Sequence, residues 1–354
     1  MSTAATRSDS SGSQRSCQGG SPPFHCEDAS TMASNPFAEV VTKISKAPSS
    51  GEYAADKLLR GIVWACAAVI LLLVAYIVFE LGRQAFPAII RFGIDFLIGT
   101  TWDVQKQTFG ILPEIWGTLF SSLLALLLGG GLGVAMAIFL TQDFLDDRVS
   151  NVFRTVVEML AAIPSVVYGL WGIYVLIPLI RPASQWLNET LGWIPLFGTS
   201  LSGPGMAPAA LVLAVMILPT VAAISVDAFR RVPYKVKEAA YGMGTTRWEA
   251  ILKVMLPTAS SGILAALVLG FGRALGETMA LAMLIGNSNQ ISLSLFAPAN
   301  TLASLLASSF PEAGPLEVKA LMYAALALLA ITLLVNILGL WVMKAATRKF
   351  EGKA

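Results

Sequence analysis

The sequence predicts an all-helical polytopic membrane protein with six transmembrane helices, and three observations predict it. Hydrophobic residues fill 55% of 354 positions and charged residues only 13%, and the mean hydropathy is +0.69, well outside the range of a soluble domain. Six apolar stretches reach the length of about 20 residues that a hydrocarbon core requires; they lie near 61–81, 111–140, 153–180, 207–227, 259–286 and 320–343. The Lys and Arg residues flanking them are unevenly divided, sixteen on one set of ends against five on the other. By the positive-inside rule, both termini and the connection over 228–258 are expected in the cytoplasm, in a multi-pass plasma-membrane protein.

Taken in order, residues 1–50 form a first segment and residues 51–354 a membrane domain. The stretch SDSSGSQRSCQGGSPPFHCEDAS has almost nothing to bury and reads as a disordered cytoplasmic tail, with Met32 as an alternative start. Cys17, His25 and Cys26 lie in it without metal-site spacing, so no metal centre is expected. The first apolar run is too long for a cleavable signal and is read as an anchor. Pro164 and Pro178 fall within the third stretch and Pro219 within the fourth, where each should bend a helix. Gly129 with Gly133, and Gly272 with Gly276, are spaced to let helix backbones approach closely. The net charge of +2 points to no nucleic-acid partner.

The cytoplasmic connection RRVPYKVKEAAYGMGTTRWEAILKVMLP reads as two short helices joined at Gly244. After that glycine, Trp248, Ile251, Leu252 and Met255 share one helical face, while Arg247, Glu249 and Lys253 point elsewhere. This helix is expected to lie along the inner membrane surface and to end at Pro257. The fifth stretch then carries Arg273 and Glu277 within LGFGRALGETMALAMLIG. Each charge costs about 2.5 to 3.5 kcal/mol at a helix centre. On one continuous helix the two residues are four apart, so they are expected to pair. Arg154 and Glu158 have the same spacing and read as a snorkelling pair, and Asp227 as a partner of the arginines that follow it.

Glu238, Ala239, Ala240, Gly244, Val254, Leu256 and Pro257, at their spacing, resemble the EAA loop of ABC importer permeases, with Val254 at a usual Ile position. GFGRALGETMALAMLIGN, EMLAAIPSVVYGLWG and FGILPEIWGTLFSSLLALLLGGGLGVAMAIFLTQ resemble the PstC-type permease subunits of phosphate importers. The resemblance covers the chain from about residue 60 to its end. It implies the ABC importer type I permease fold and a coupling helix, made of the EAA residues, that docks on a separate ATPase. It also implies a second permease subunit of the PstA type, a dimer of PstB-type ATPases and an extracytoplasmic phosphate-binding protein of the PstS type. ATP and Mg would then bind the ATPases, and this chain would hold no cofactor, in keeping with the lack of any G-x4-G-K-[ST] motif in the sequence.

Within that reading, Arg273, Glu277 and Thr278 lie on the substrate pathway. The guanidinium fork suits an oxyanion, and Glu277 holds it when the pore is empty. Segments 82–110 and 181–206 are expected to help dock the binding protein. Three other classes fit the sequence less well. A sulfate- or molybdate-type permease is disfavoured by Thr278, where those relatives tend toward Gly-Glu-Phe-Gly. An ATP-independent carrier or channel leaves the EAA loop without a purpose. An intramembrane hydrolase lacks its groups, because the one histidine, His25, lies in the tail.

Overall fold

A computed structural model of the chain describes residues 50–142, 144 and 146–351, the side chains of 50, 52, 147 and 346–351 excepted. The expected disordered tail, the alternative start at Met32 and the Cys17, His25 and Cys26 group lie outside the described residues. The chain divides into two units, residues 1–71 and 72–354. In the first, the described part is the opening of α1 (Ser50–Phe92), whose apolar side chains, Trp64 and Leu71 among them, face outward. Such a surface is suited to lipid.

The second unit holds the remainder of α1, then α2 (Asp95–Ile98) and a small antiparallel hairpin of β1 (Trp102–Asp103) and β2 (Thr108–Phe109). Asp103 closes the hairpin turn by accepting the N–H groups of Gln105 and Lys106 at 2.9 and 3.0 Å. Those amide donors, Lys106 first, hold its carboxyl below the ordinary carboxylate range. The helices that follow are α3 (Leu112–Thr141), α4 (Asp147–Ala161), α5 (Ser165–Leu191), α6 (Met206–Arg230), α7 (Tyr234–Gly242) and α8 (Arg247–Leu275). The chain ends with α9 (Met279–Leu284), α10 (Leu302–Ser309) and α11 (Pro315–Glu351). Among the described residues, α1, α3, α5, α6, α8 and α11 are the six helices long and apolar enough to cross a membrane.

Helix α6 is the central post, with 67% of its most apolar window buried. Small residues allow its neighbours to approach. A Cβ on Gly129 of α3 would collide with the Ala214 carbonyl, and one on Gly270 of α8 would sit 2.7 Å from Val221 Cγ2. The expected close packing at Gly129 and Gly133 is therefore present. Gly276 has another task, described below.

The first span, expected over 61–81, runs on as helix through residues 82–92 of a segment expected to help dock the binding protein, the last, expected over 320–343, extends at both ends, and the third and fifth differ in kind. The stretch expected as one helix over 153–180 is two, because Pro164, with φ −60° and ψ 141°, turns the chain out of helix between α4 and α5. Proline disfavours helical geometry at Ile163 before it and starts a helix well after it, so a break is cheaper than a bend. α5 then continues to Leu191, so that residues 181–191 of the segment expected as an external loop over 181–206 are helix. The fifth span begins earlier than expected and ends earlier too. Pro257 does not terminate the helix that follows Gly244; α8 runs through it, because a wide π-helical stretch over Ala250–Met255 ends one residue short of the proline. A similar stretch over Gly172–Leu176 precedes Pro178 in α5. In both places the loosened turn takes up the missing N–H and the bulk of the ring.

Three apolar clusters hold the second unit together. Ile111, Phe96 and Phe109 pack with Leu302 and Leu321, and Phe96 stacks on Tyr323 with ring centroids 4.5 Å apart. A middle cluster joins α5, α6 and α9 through Tyr168, Leu213 and Leu284. A third joins α3, α6 and α8 through Ala137, Phe229, Ile251 and Met255.

Candidate functional site

The candidate pore residues sit where α8 stops. Gly276 follows Leu275 as the helix C-cap, and Glu277 is already outside the helix, its N–H reaching the Ala274 carbonyl at 3.4 Å. Thr278 is the N-cap of α9 and donates its hydroxyl to the Gly276 carbonyl at 3.2 Å. Glu277 accepts the Ala280 N–H at 3.5 Å, so its carboxylate serves the start of α9. The expected ion pair between Arg273 and Glu277 is not among the pairs formed by the described residues. The reason is geometric: four-residue spacing brings side chains together only while the helix continues, and this helix ends between them.

Arg273 instead donates to Thr220 Oγ1 on α6 at 3.2 Å. Its other N–H donors have no partner among the described residues, and the side chain is exposed. A guanidinium held on one side by a neutral hydroxyl keeps both its full charge and most of its fork for an anion. Pro219 precedes Thr220 in the interior of α6. No sequence signal pairs Thr220 with Arg273, which is 53 positions away.

The expected knuckle of two helices joined at Gly244 is present. α7 presents Glu238 and Ala239 outward and buries Ala240 at 1% exposure. Gly244, at φ +81°, turns the chain, a left-handed geometry that costs a residue with a Cβ about 1 kcal/mol or more. Thr246 and Glu249 then form a capping box at the start of α8, a Thr-x-x-Glu signature that the sequence itself carries. The expected apolar face is split: Ile251 and Met255 are buried, Leu256 packs on the same cluster, and Trp248 and Leu252 stay exposed. Trp248 meets Phe144, ring centroids 5.5 Å apart. Pro257 lies in the wall of this junction rather than at its end.

The secondary charges divide. Arg154 donates to Glu158 at 2.9 Å, as expected, though on the separate helix α4. Asp227 forms no ion pair with Arg230 or Arg231 among the described residues; the contact between Asp227 and Arg231 is the helical backbone bond from the Arg231 N–H to the Asp227 carbonyl at 3.3 Å. A polar seam between α3 and the chain around α10 was not foreseen. Thr118 accepts the Leu302 N–H at 3.0 Å, Gly117 abuts Asn300, and Glu114 is fully buried with neither carboxylate oxygen hydrogen-bonded. Nothing in ILPEIWGT marks these positions as interior, because burial from a distant segment leaves no local pattern.

The family described as binding-protein-dependent transport system inner membrane component matches residues 129–352. The chain is 41% identical over 277 residues to the phosphate transport system permease protein PstC of Haemophilus influenzae, covering 77% of this chain and 88% of that protein. It is 40% identical over 271 residues to the PstC of Pasteurella multocida, covering 75% and 84%. The fold is similar to a chain of a bacterial alginate ABC transporter solved with an alginate pentasaccharide-bound periplasmic protein. That match has a TM-score of 0.57 at 15% identity and covers 84% of this chain and 97% of that one.

Proposed function

Because the chain belongs to the family of inner membrane components of binding-protein-dependent transport systems, we propose that it is the permease subunit of an ATP-driven inorganic phosphate importer. The observation that carries this reading is its 41% identity, over most of both chains, to a phosphate transport system permease protein. The geometry agrees with it. The knuckle, Glu238 to Pro257, runs directly into the span whose far end carries Arg273.

In this reading the chain does no chemistry of its own. A partner ATPase docks on Glu238, Ala239, Ala240 and Gly244, and its closure on ATP shifts α7 against the start of α8. α8 is one helix from Arg247 to Leu275, so movement at the knuckle is carried along it toward Arg273. The anion delivered by a PstS-type binding protein passes that guanidinium, with Thr220 holding the arginine and Glu277 and Thr278 fixing the turn beneath it. A PstA-type permease forms the other half of the pore. The ATPase dimer holds the ATP and Mg, and both termini and the knuckle face the cytoplasm.

The test is uptake of radiolabelled phosphate by cells deleted for this chain and complemented with it, in the presence of excess sulfate, molybdate or arsenate. Restored uptake that arsenate alone suppresses is the expected result. Suppression by sulfate or molybdate reassigns the cargo, and uptake independent of the partner ATPase overturns the importer reading.

A further inference from the structure

Pro164 leaves a hydrogen bond unmade, and one side chain makes it. In a continuous helix the Leu160 carbonyl would accept the N–H four positions on, but position 164 is proline and has none. The amides of Ala162 and Ile163 turn back on Met159 and Leu160, that of Ile163 at a long 3.4 Å. The Tyr168 hydroxyl, one turn into α5, donates to the Leu160 carbonyl at 2.8 Å and takes the place of the missing amide. Among the described residues it is the hydrogen bond that joins α4 to α5, since no backbone bond crosses from one helix to the other.

The two helices are held very differently. α4 is loosely seated: of its described side chains Val157 alone is buried, and a cavity of about 50 Å³ lies under it, against Ala222 and Val226 of α6. α5 is fixed. A Cβ on Gly169 would sit 2.9 Å from Met283 Sδ and 3.4 Å from Ala280 Cα, and one on Gly172 2.7 Å from Leu284 Cδ1, so its backbone lies directly on α9. α9 begins at Met279, immediately after the turn that ends α8. Tyr168, 7% exposed, shares an apolar cluster with Ala274, and its hydroxyl lies within reach of the Arg273 charge.

We propose that Tyr168 is a positioning residue of the anion pathway, whose hydroxyl ties the end of α4 to α5 and so to the turn that carries Arg273. The phenol does not meet the cargo. It makes α4 and the α5–α9 pair move as one body, so that a displacement of the loosely seated helix reaches the guanidinium. A phenylalanine keeps the ring in its cluster but leaves the Leu160 carbonyl without this donor, and the two parts then move separately. The role in transport rests on the importer reading; the mechanical link between α4 and α9 does not.

The test is phosphate uptake by proteoliposomes holding the complete transporter, with binding protein and ATP supplied. It compares the natural chain, Tyr168→Phe, and a chain with 4-aminophenylalanine at position 168, whose N–H replaces the O–H as donor. Tyr168→Phe should assemble to the natural level, keep the natural half-saturating phosphate concentration and lose about tenfold in maximal rate, the weight of one hydrogen bond. ATP hydrolysis should continue, so that ATP consumed per phosphate rises by the same factor. The 4-aminophenylalanine chain should recover most of the rate. A natural rate in Tyr168→Phe overturns the proposal. So does a 4-aminophenylalanine chain as slow as Tyr168→Phe, which assigns the effect to the ring. Failure of Tyr168→Phe to assemble makes the hydroxyl structural and overturns the proposal too.

A second measurement needs no transport. With Cys17, Cys26 and Cys66 replaced, spin labels on cysteines placed at Thr155 of α4 and Met279 of α9 report the distance between the two parts in the complete transporter in nanodiscs. The distribution should be narrow with Tyr168 and broad or doubled in Tyr168→Phe; identical distributions overturn the link. Broadened distances with no phosphate uptake by the natural chain sink the importer's cargo alone. Phosphate uptake by the natural chain with identical distances sinks the positioning role alone.

Discussion

Arg273 is the residue on which the transport reading turns, and its setting is simpler than an ion pair. The contact to Thr220 Oγ1 at 3.2 Å positions the guanidinium without neutralising it. Arg273→Ala should therefore abolish phosphate uptake while the complex still assembles, as judged by co-purification of its subunits. Arg273→Lys should retain only part of the uptake, because a point charge lacks the fork. Thr220→Val should lower uptake and Thr220→Ser preserve it; equal uptake by both would remove Thr220 from the pathway. Arg273 was legible as a charge in an apolar run. Its partner was not, because the side chains that meet across two helices depend on how those helices are rotated against each other.

At the scale of elements, the glycines divide by what they touch. Gly129 meets the Ala214 carbonyl, whereas a Cβ on Gly131, two positions on in α3, would meet nothing within 4 Å. Gly129→Val should cost about 1–3 kcal/mol through overpacking, read as a lower unfolding temperature of the solubilised complex, and Gly131→Ala should leave that temperature near the natural value. Gly244 differs again, since a Cβ there also has open space but its φ of +81° disfavours one. Gly244→Ala should strain the knuckle by about 1–2 kcal/mol. Its expected readout is lower uptake per ATP hydrolysed, with the amount of assembled complex unchanged. The knuckle could be read in advance because helix formers, a glycine and a 3.6-residue apolar period are local signals. The extent of α5 and α8 could not. Proline marks a place where a helix is interrupted, but whether the chain breaks, as at Pro164, or runs through a π-helical stretch, as before Pro257, depends on the neighbours it packs against.

For the whole molecule, the sixteen-to-five division of basic residues predicts which side each connection faces. In a chain with Cys17, Cys26 and Cys66 replaced, a cysteine placed at Gly244 should react with a membrane-impermeant thiol reagent only in inside-out vesicles. One placed at Lys106 should react only in intact cells or right-side-out vesicles, and the reverse pattern would invert the topology. The sequence by itself determined that this is a six-span helical membrane protein, where its charged and amphipathic connection lies, and which permease family it resembles. Those properties follow from segment length, local periodicity and fixed spacing, all of which act along the chain. Only the tertiary structure decided that Arg273 answers to Thr220 and Glu277 to the start of α9, and that Glu114 is interior. Each of these pairs residues from separate segments, or depends on where one helix ends against another. Such contacts are set by packing and by the demand that buried polar groups find partners, which no local pattern encodes.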